Sequence, residues 1–494
     1  MLAVFILYLA ITVFIAWWYS RGEKTNSTFI LGQKKFGGPA LALSERATGE
    51  SAWLLLGLTG HAYSEGISAI WVALGCVLGI IFIWLVMAGR LQKKTDQTGA
   101  LTVPGLLGKS FPGAERNIRL LSAVIIVFFF VFYIAAQFSG SGKVLHKTFN
   151  LDPVWGILIG SVIVTLYCMM GGFVAVVVTD VFQAILMIFT LVVFPFIALM
   201  VATSNDIHLL QAIEQAGTSH LSLTAGKSGM TAFLFILSGL SWALGYSGQP
   251  QLLTRMMAIR NQHDVKPARI VAILWTLLAY AGAIMIGLFG IGFVQNGYLG
   301  SESARLADDA EKILPVMVMM FVNPILAGVL LSGVISAMMS TASSELTVSS
   351  ASITEDILHR TFRSAFSDKK QLLLNQLMTL AVGVIAIILA LTLTETVYGL
   401  VSYAWSGIGS SFGPALLLLL FWKKFSRAGV YASLITGTTS TVIWKYFFEA
   451  STGVSERLVS FIAAGFMALL FSVLLPEKEQ KITQLQQPRS CCPR

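Results

Sequence analysis

The sequence predicts an all-α polytopic membrane protein, and three observations point there. The chain of 494 residues is 56% hydrophobic and only 12% charged, with a mean hydropathy of +0.78. Soluble domains carry about 25% charged residues, so a water-soluble fold of this composition would lack polar surface. Apolar runs of about 20 residues recur along the chain, each long enough to cross about 30 Å of hydrocarbon as a helix. Basic residues, finally, crowd into alternate loops.

The hydropathy pattern predicts 13 transmembrane helices, near residues 2–20, 40–61, 67–90, 119–146, 153–172, 180–203, 229–253, 267–295, 314–347, 371–393, 397–421, 428–446 and 457–475. The first is too long for a signal peptide and lacks a small-residue cleavage site, so it counts as a helix. Lys and Arg concentrate within 21–35, 90–119, 255–269, 360–370, 423–427 and the tail. The alternate loops hold only Lys143, Lys147, Lys227, Arg305, Lys312, Lys445 and Arg457. The basic-rich side is cytoplasmic by the positive-inside rule. An odd number of spans then puts the N-terminus outside and the C-terminus inside an integral cell membrane protein. Loops facing anionic lipid account for the net charge of +9, so no nucleic-acid partner is needed.

The four cysteines carry little information. Cys76 and Cys168 fall in spans, and Cys491 with Cys492 sit in a cytoplasmic tail where thiols stay reduced. The CCPR ending is compatible with palmitoylation, a weak signal. No Cys/His cluster has metal spacing, and the six histidines read as surface or packing residues. No Gly-rich loop ends in Gly-Lys-Ser/Thr, so any pumping must draw on an ion gradient. No nucleophile–base pair supports an intramembrane enzyme. The tail after 475 is too short for the signalling domain of a transporter-like sensor. No organic cofactor and no obligate protein partner are implied.

The stretch SERATGESAW (44–53) sets Glu45, Arg46 and Glu50 inside an apolar span. Each charge costs at least about 2.5–3.5 kcal/mol at the bilayer centre. The second span breaks at RATGES, and the seventh at ALGYSGQP (243–250). Four continuous spans separate them, so each break opens a five-helix unit, 40–204 and 229–421, the second inverted. Gly and Pro are common in membrane helices, but breaks at matching positions of two repeats mark a binding site. The rest divides into an extra N-terminal helix and first cytoplasmic loop (1–39), an external loop (205–228), two peripheral helices (422–475) and the tail (476–494).

An unwound membrane helix leaves backbone groups unpaired, at several kcal/mol each unless they are satisfied. A cation and a zwitterionic solute can satisfy them. Sodium takes hard oxygen ligands, which carbonyls and hydroxyls supply. The ninth span places Ser332, Ser336, Ser340, Ser343 and Thr347 at helical spacing, with Thr341 beside Ser340. Spacing alone favours a small-residue packing stripe, and more strongly so for Ser402, Ser406 and Ser410. Trp53, Tyr133, Trp242 and Tyr246 could shape a small pocket, although most aromatic residues in a bundle only pack.

Five stretches carry a resemblance: AGRL (88–91), GGFVAVVVTDVFQAILMIF (171–189), ALGYSGQPQLLTRMMA (243–258), MMSTASSELTVSSASITEDI (338–357) and GLVSYAWSGIGSSFGPALLL (399–418). Through them the chain resembles the sodium:solute symporter family, and within it the sodium/proline symporters. The resemblance implies a leucine-transporter-type 5+5 inverted-repeat core with one helix before it and two after. It implies sodium ligation by the carbonyls of Ala47, Glu50 and Ala337 and the hydroxyls of Ser340 and Thr341. Substrate positions map to Ser51, Trp53, Tyr133, Trp242, Tyr246 and Pro250, and Asp180 to a carboxylate near the inner sodium path.

The break departs from the family pattern. Where sodium/proline symporters carry Ser-Asp-Met-Ser-Gly-Trp, this chain has Thr48-Gly49-Glu50-Ser51-Ala52-Trp53, and Glu45-Arg46 replaces small residues. One expectation is that Glu50 stands in for the missing aspartate, its side chain reaching the ion or the substrate's ammonium. The other is that it pairs with Arg46 and only shapes the break. Glu45 and Arg46, about 100° apart on a helix, are expected to find separate partners. The function implied is Na⁺-coupled import of L-proline by alternating access, with membrane lipid as its surroundings. Another small amino acid, a monocarboxylate, or proton coupling through Glu50 are the alternatives.

Overall fold

The computed structural model describes residues 1–21, 25–362, 367–393 and 395–477; the tail with Cys491 and Cys492 lies outside the described residues. Among these residues the regular structure is helical throughout. Hydrocarbon offers no hydrogen-bond partner, and a helix satisfies its own backbone. Ten helical runs are long and apolar enough to cross a membrane. Two of them, Gly38–Thr98 with 61 residues and Pro153–Ser204 with 52, exceed one crossing. At about 1.5 Å per residue, even the shorter would be more than twice the hydrocarbon thickness if straight. Both turn at a glycine with positive φ, Gly66 (φ 68°) and Gly172 (φ 54°). A side chain at Gly172 would also run into the Phe29 ring.

The principal helices are α1 (Leu2–Tyr19), α2 (Gly38–Ala52), α3 (Ile70–Phe82), α4 (Glu115–Phe149), α5 (Pro153–Ser204), α6 (Gly229–Leu240), α7 (Pro250–Met257), α8 (Val265–Gln295), α9 (Pro324–Ala351), α10 (Asp368–Thr392), α11 (Val397–Phe421), α12 (Arg427–Phe447) and α13 (Glu456–Leu474). Start signals are local. Asn323 caps the amides of Ile325 and Leu326 ahead of Pro324, and Asp152 caps Val154 ahead of Pro153. A short helix, Glu302–Asp308, is followed by a tight turn over Ala310–Lys312. Glu311 there accepts the amides of Val397 and Tyr398 at 3.2 and 2.8 Å, capping α11, and pairs with Lys143 at 2.5 Å.

Helix α9 is the axis of the bundle, packed against α2, α4 and α5 and buried along nearly its whole length. Its Ser, Thr, Ala and Gly residues let those neighbours approach closely, since lipid tails supply no hydrophobic drive between helices. Outside this core, α12 and α13 pair with each other and with α11, and α1 lies on α5 and α9.

Close approach also fixes α8 against α5. A Cβ on Gly282 would collide with the Leu191 backbone carbonyl, which cannot move as a flexible side chain would. Gly282→Ala should destabilise by about 1–3 kcal/mol. Gly37→Ala, where nothing lies within 4 Å, should leave thermal unfolding of the detergent-purified protein unchanged.

Candidate functional site at two helix breaks

The first break falls at the end of the RATGES stretch. Ser51 takes φ 49° and ψ −172°, a conformation that costs a non-glycine residue about 1–3 kcal/mol. Neighbours hold it there. The Ala52 amide donates to Gln137 Oε1 on α4 at 2.9 Å, and the Trp53 amide to Ser51 Oγ at 3.0 Å. Thr341 Oγ1 on α9 donates to the Thr48 carbonyl at 2.8 Å. Beyond the break the chain continues as a wide π turn over Trp53–Leu58.

The second break runs from one short turn, Trp242–Gly245, through Tyr246–Gly248 to an extended Gln249, and Pro250 restarts the helix. Gly245 and Gly248 let this segment lie directly on α11: side chains there would meet the Trp405 indole and the Gly409–Gly413 backbone. Gln249 Nε2 donates to the Trp405 carbonyl at 3.0 Å.

The three ionisable side chains of the first break pair with one another, Arg46 between two glutamates. Arg46 Nε donates to Glu45 Oε2 at 2.6 Å and Nη2 to Glu45 Oε1, while Nη1 pairs with Glu50 Oε1 at 2.5 Å. Trp84 Nε1 donates to Glu45 at 3.0 Å, and Tyr280 Oη to Glu50 Oε2 at 2.5 Å. The expectation of separate partners for Glu45 and Arg46 is therefore corrected. The guanidinium is long and forked enough to fold back on its neighbour while it reaches one turn ahead. Both Glu50 carboxylate oxygens are engaged, which is the break-shaping arrangement. A phenol contact, Tyr280 to Tyr246 at 2.9 Å, carries the network to the second break.

Asp180 on α5 forms a second cluster. Its Oδ2 accepts from Ser44 at 2.6 Å, Thr48 at 3.3 Å and Arg255 at 3.1 Å. Arg255 also donates to Ser344 and to the Gln251 carbonyl. Asp180 Oδ1 has no partner, nor does the hydroxyl of Ser340, which lies against this carboxyl. The other hydroxyls of the stripe are spent on packing: Ser332 on Gly328, Ser336 on Tyr8, Ser343 on Ser340 and Thr347 on Ser343. Ala47, Glu50 and Ala337 are fully buried beside this junction.

The aromatic residues also converge. Ring centroids of Trp53 and Trp242 lie 4.4 Å apart, Trp242 and Trp405 6.1 Å, Tyr246 and Trp405 4.6 Å, and Tyr133 and Trp405 6.5 Å. Tyr133 lies against the Ser51 hydroxyl. The sequence reading missed Trp405, Tyr280, Arg255 and Gln137. Trp405 stood in a quoted stretch but among serines that read as packing. Arg255 counts among the basic loop residues in the sequence, whereas the structure buries it on α7.

Residues 29–437 match the model of the sodium:solute symporter family. The chain is 34% identical over 472 residues to a sodium/proline symporter of Escherichia coli strain K12, covering 95% of this chain and 92% of that protein. It is 35% identical over 458 residues to a high-affinity proline transporter of Bacillus subtilis strain 168, covering 92% and 93%. A Na⁺-coupled sialic acid symporter, solved substrate-bound and outward-open, superposes with a TM-score of 0.76 at 19% identity, over 95% of this chain and 97% of that one. MhsT, solved with L-phenylalanine, superposes at 0.54 and 14% identity, over 88% and 97%. These likenesses give the fold as the leucine-transporter type.

Removing one partner of a buried ion pair strands the other charge, at about 3–5 kcal/mol. Arg46→Gln strands two carboxylates and should destabilise the purified protein by that amount, read as a lowered Tm, or abolish folding. Arg260→Gln, in an exposed pair with Asp264, should change stability by less than about 1 kcal/mol.

Proposed function

The chain belongs to the sodium:solute symporter family, and from that premise we propose that it imports L-proline by alternating access. Membership makes it a sodium-coupled membrane transporter of a small molecule and not an enzyme. Proline as substrate is supported by the sodium/proline symporters and the proline transporter among its relatives. The repeats are 40–204 and 229–421, with the N-terminus outside and the C-terminus in the cytoplasm.

One observation carries the mechanism: α9 is tied to the first break by Thr341 on the Thr48 carbonyl, beside a Ser340 hydroxyl and an Asp180 oxygen without partners. In this reading sodium is bound by the carbonyls of Ala47, Glu50 and Ala337 and the hydroxyls of Ser340 and Thr341. The ion then bridges the break and α9, holding the two together while it is bound. Each sodium that enters contributes about 2.3 kcal/mol per 100 mV plus its concentration term. Asp180 stands on the inner ion path. Proline's compact ring suits Trp53, Tyr133, Trp242 and Tyr246, with its charged ends at Ser51 and ahead of Pro250. Proton coupling through the Glu50 side chain is disfavoured, since Arg46 and Tyr280 hold both oxygens. Glu50 acts on coupling through the shape of the break.

Sodium-dependent uptake of labelled proline into proteoliposomes, with amino acids and monocarboxylates as competitors, tests the reading. Saturable uptake that needs an inward sodium gradient is expected. No uptake and no competition by millimolar proline would remove the substrate assignment and leave the fold intact. Ser340→Ala and Thr341→Ala should each raise the sodium concentration for half-maximal uptake by about tenfold, the loss of one oxygen ligand near 1.4 kcal/mol. Unaltered sodium dependence in both variants would sink the ligand assignment.

A further inference from the structure

Glu345 on α9 is fully buried, and neither of its carboxylate oxygens has a hydrogen-bond partner. The other buried carboxylates differ: Glu45, Glu50, Asp180, Asp356 and Glu456 each accept from an arginine, a hydroxyl or an indole. An unpaired carboxylate inside a membrane bundle is among the costliest side-chain placements, and a charge kept there marks a functional site.

Its surroundings say what it could receive. Glu345 lies one helical turn beyond Thr341 and close enough to Tyr133 to act on that phenol electrostatically. Tyr133 in turn touches Ser51 at the first break and Trp405 of the aromatic cluster. Around the same cluster stand buried donors that also lack partners: Trp53 Nε1, Trp405 Nε1 and Gln137 Nε2. Around Tyr133, then, the Glu345 carboxylate is an unmatched acceptor, and the two indoles and the Gln137 amide are unmatched donors. Such a set is complementary to a zwitterion. A carboxylate accepts short, charge-assisted hydrogen bonds from an ammonium, and it repels a solute that is only an anion.

We infer that Glu345 receives the cationic amine of the transported solute and selects ammonium-bearing solutes over neutral and purely anionic ones. This rests on the reading of the two breaks as the solute site. The two oxygens of Glu345 match the two N–H groups of a secondary ammonium such as proline's, while the solute's own carboxylate turns to the unpartnered donors. Specificity then comes from a group that neither break supplies.

Binding to the purified full-length protein in sodium chloride tests this with matched solutes. L-Proline is paired with tetrahydro-2-furoate, which has the same ring with oxygen in place of the ammonium; alanine, pipecolate, acetate and pyruvate complete the panel. The wild type should bind an ammonium solute well ahead of the ether. Glu345→Gln, which keeps size and removes charge, should weaken the ammonium solute about 10- to 100-fold, the worth of a charge-assisted hydrogen bond. Affinity for the ether and for sodium alone should stay within about threefold. Retained preference in Glu345→Gln overturns the inference, and so does a wild type that takes monocarboxylates but no ammonium solute. If alanine or pipecolate binds in place of proline and is lost in Glu345→Gln, the proline reading falls and this one stands. Should Glu345→Gln fail to fold, Glu345→Asp replaces it: weaker binding with the ammonium preference kept supports the role, and an equal loss for both members of the pair overturns it.

Discussion

Backbone amides and carbonyls cannot stay unpaired inside hydrocarbon, and the arrangement of this protein follows from that constraint. Where the helices are continuous, they satisfy themselves. At Ser51 and at Gln249 they do not: polar side chains from other helices supply what is missing at the first break, and the second is tied to α11 by its own Gln249. Gln137 takes the Ala52 amide, Thr341 donates to the Thr48 carbonyl, and Gln249 returns a bond to the Trp405 carbonyl. Helices α4 and α9 therefore carry polar residues at depths where packing alone would use Leu or Ala. The same substitution of side chain for backbone makes the breaks adaptable. A bond between a hydroxyl and a carbonyl can be exchanged for an ion, whereas a helical bond cannot be without unwinding more chain.

Charge follows a second rule: the buried arginines are each matched by a carboxylate nearby. Arg46 is shared by Glu45 and Glu50, Arg255 is matched by Asp180, and Arg119 pairs with Asp356 at 2.6 Å under a bond from Thr102. Such pairs add little net stability, because desolvation consumes most of the attraction. They do fix which surfaces meet. Arg255 on α7 holds Ser44 of α2, Asp180 of α5 and Ser344 of α9 at one point. The helix leaving the second break is thereby tied to the helix entering the first.

The all-helical membrane class and the places of both breaks were legible in the sequence, since hydropathy and the Gly, Pro and charge interruptions are one-dimensional signals. Ser51 sits at the last residue of the stretch expected to break, and Pro250 restarts the second helix. Helical spacing could not tell Ser340 from Ser336 or Ser343: all share one stripe, and only three dimensions show which hydroxyls are spent. The Glu45–Arg46 contact was misread because backbone spacing puts neighbours about 100° apart, while a forked, three-methylene side chain ignores that angle. Trp405 was hidden because its indole meets the chain at Gly245, a residue distant in sequence. A wide separation of this kind leaves no periodic trace.

The departure from the family's break now has a physical meaning. Replacing one aspartate by a Glu-Arg-Glu set does not add a free anion to the first break, because the arginine is bidentate to one glutamate and the second is closed by Arg46 and Tyr280. The negative oxygens still uncommitted around the junction of α2, α4, α5 and α9 are Asp180 Oδ1 and the two of Glu345. Asp180 lies against Ser340, on the side where an ion would bridge α9 to the break. Glu345 lies close enough to Tyr133 to act on its phenol electrostatically. On the proposed reading, an ion and an ammonium meet separate anions, one on α5 and one on α9, where the first break alone would have had to serve both. Binding either cation relieves a cost already present in the fold. Because both anions border α9, occupancy of one bears on the same helix that presents the other.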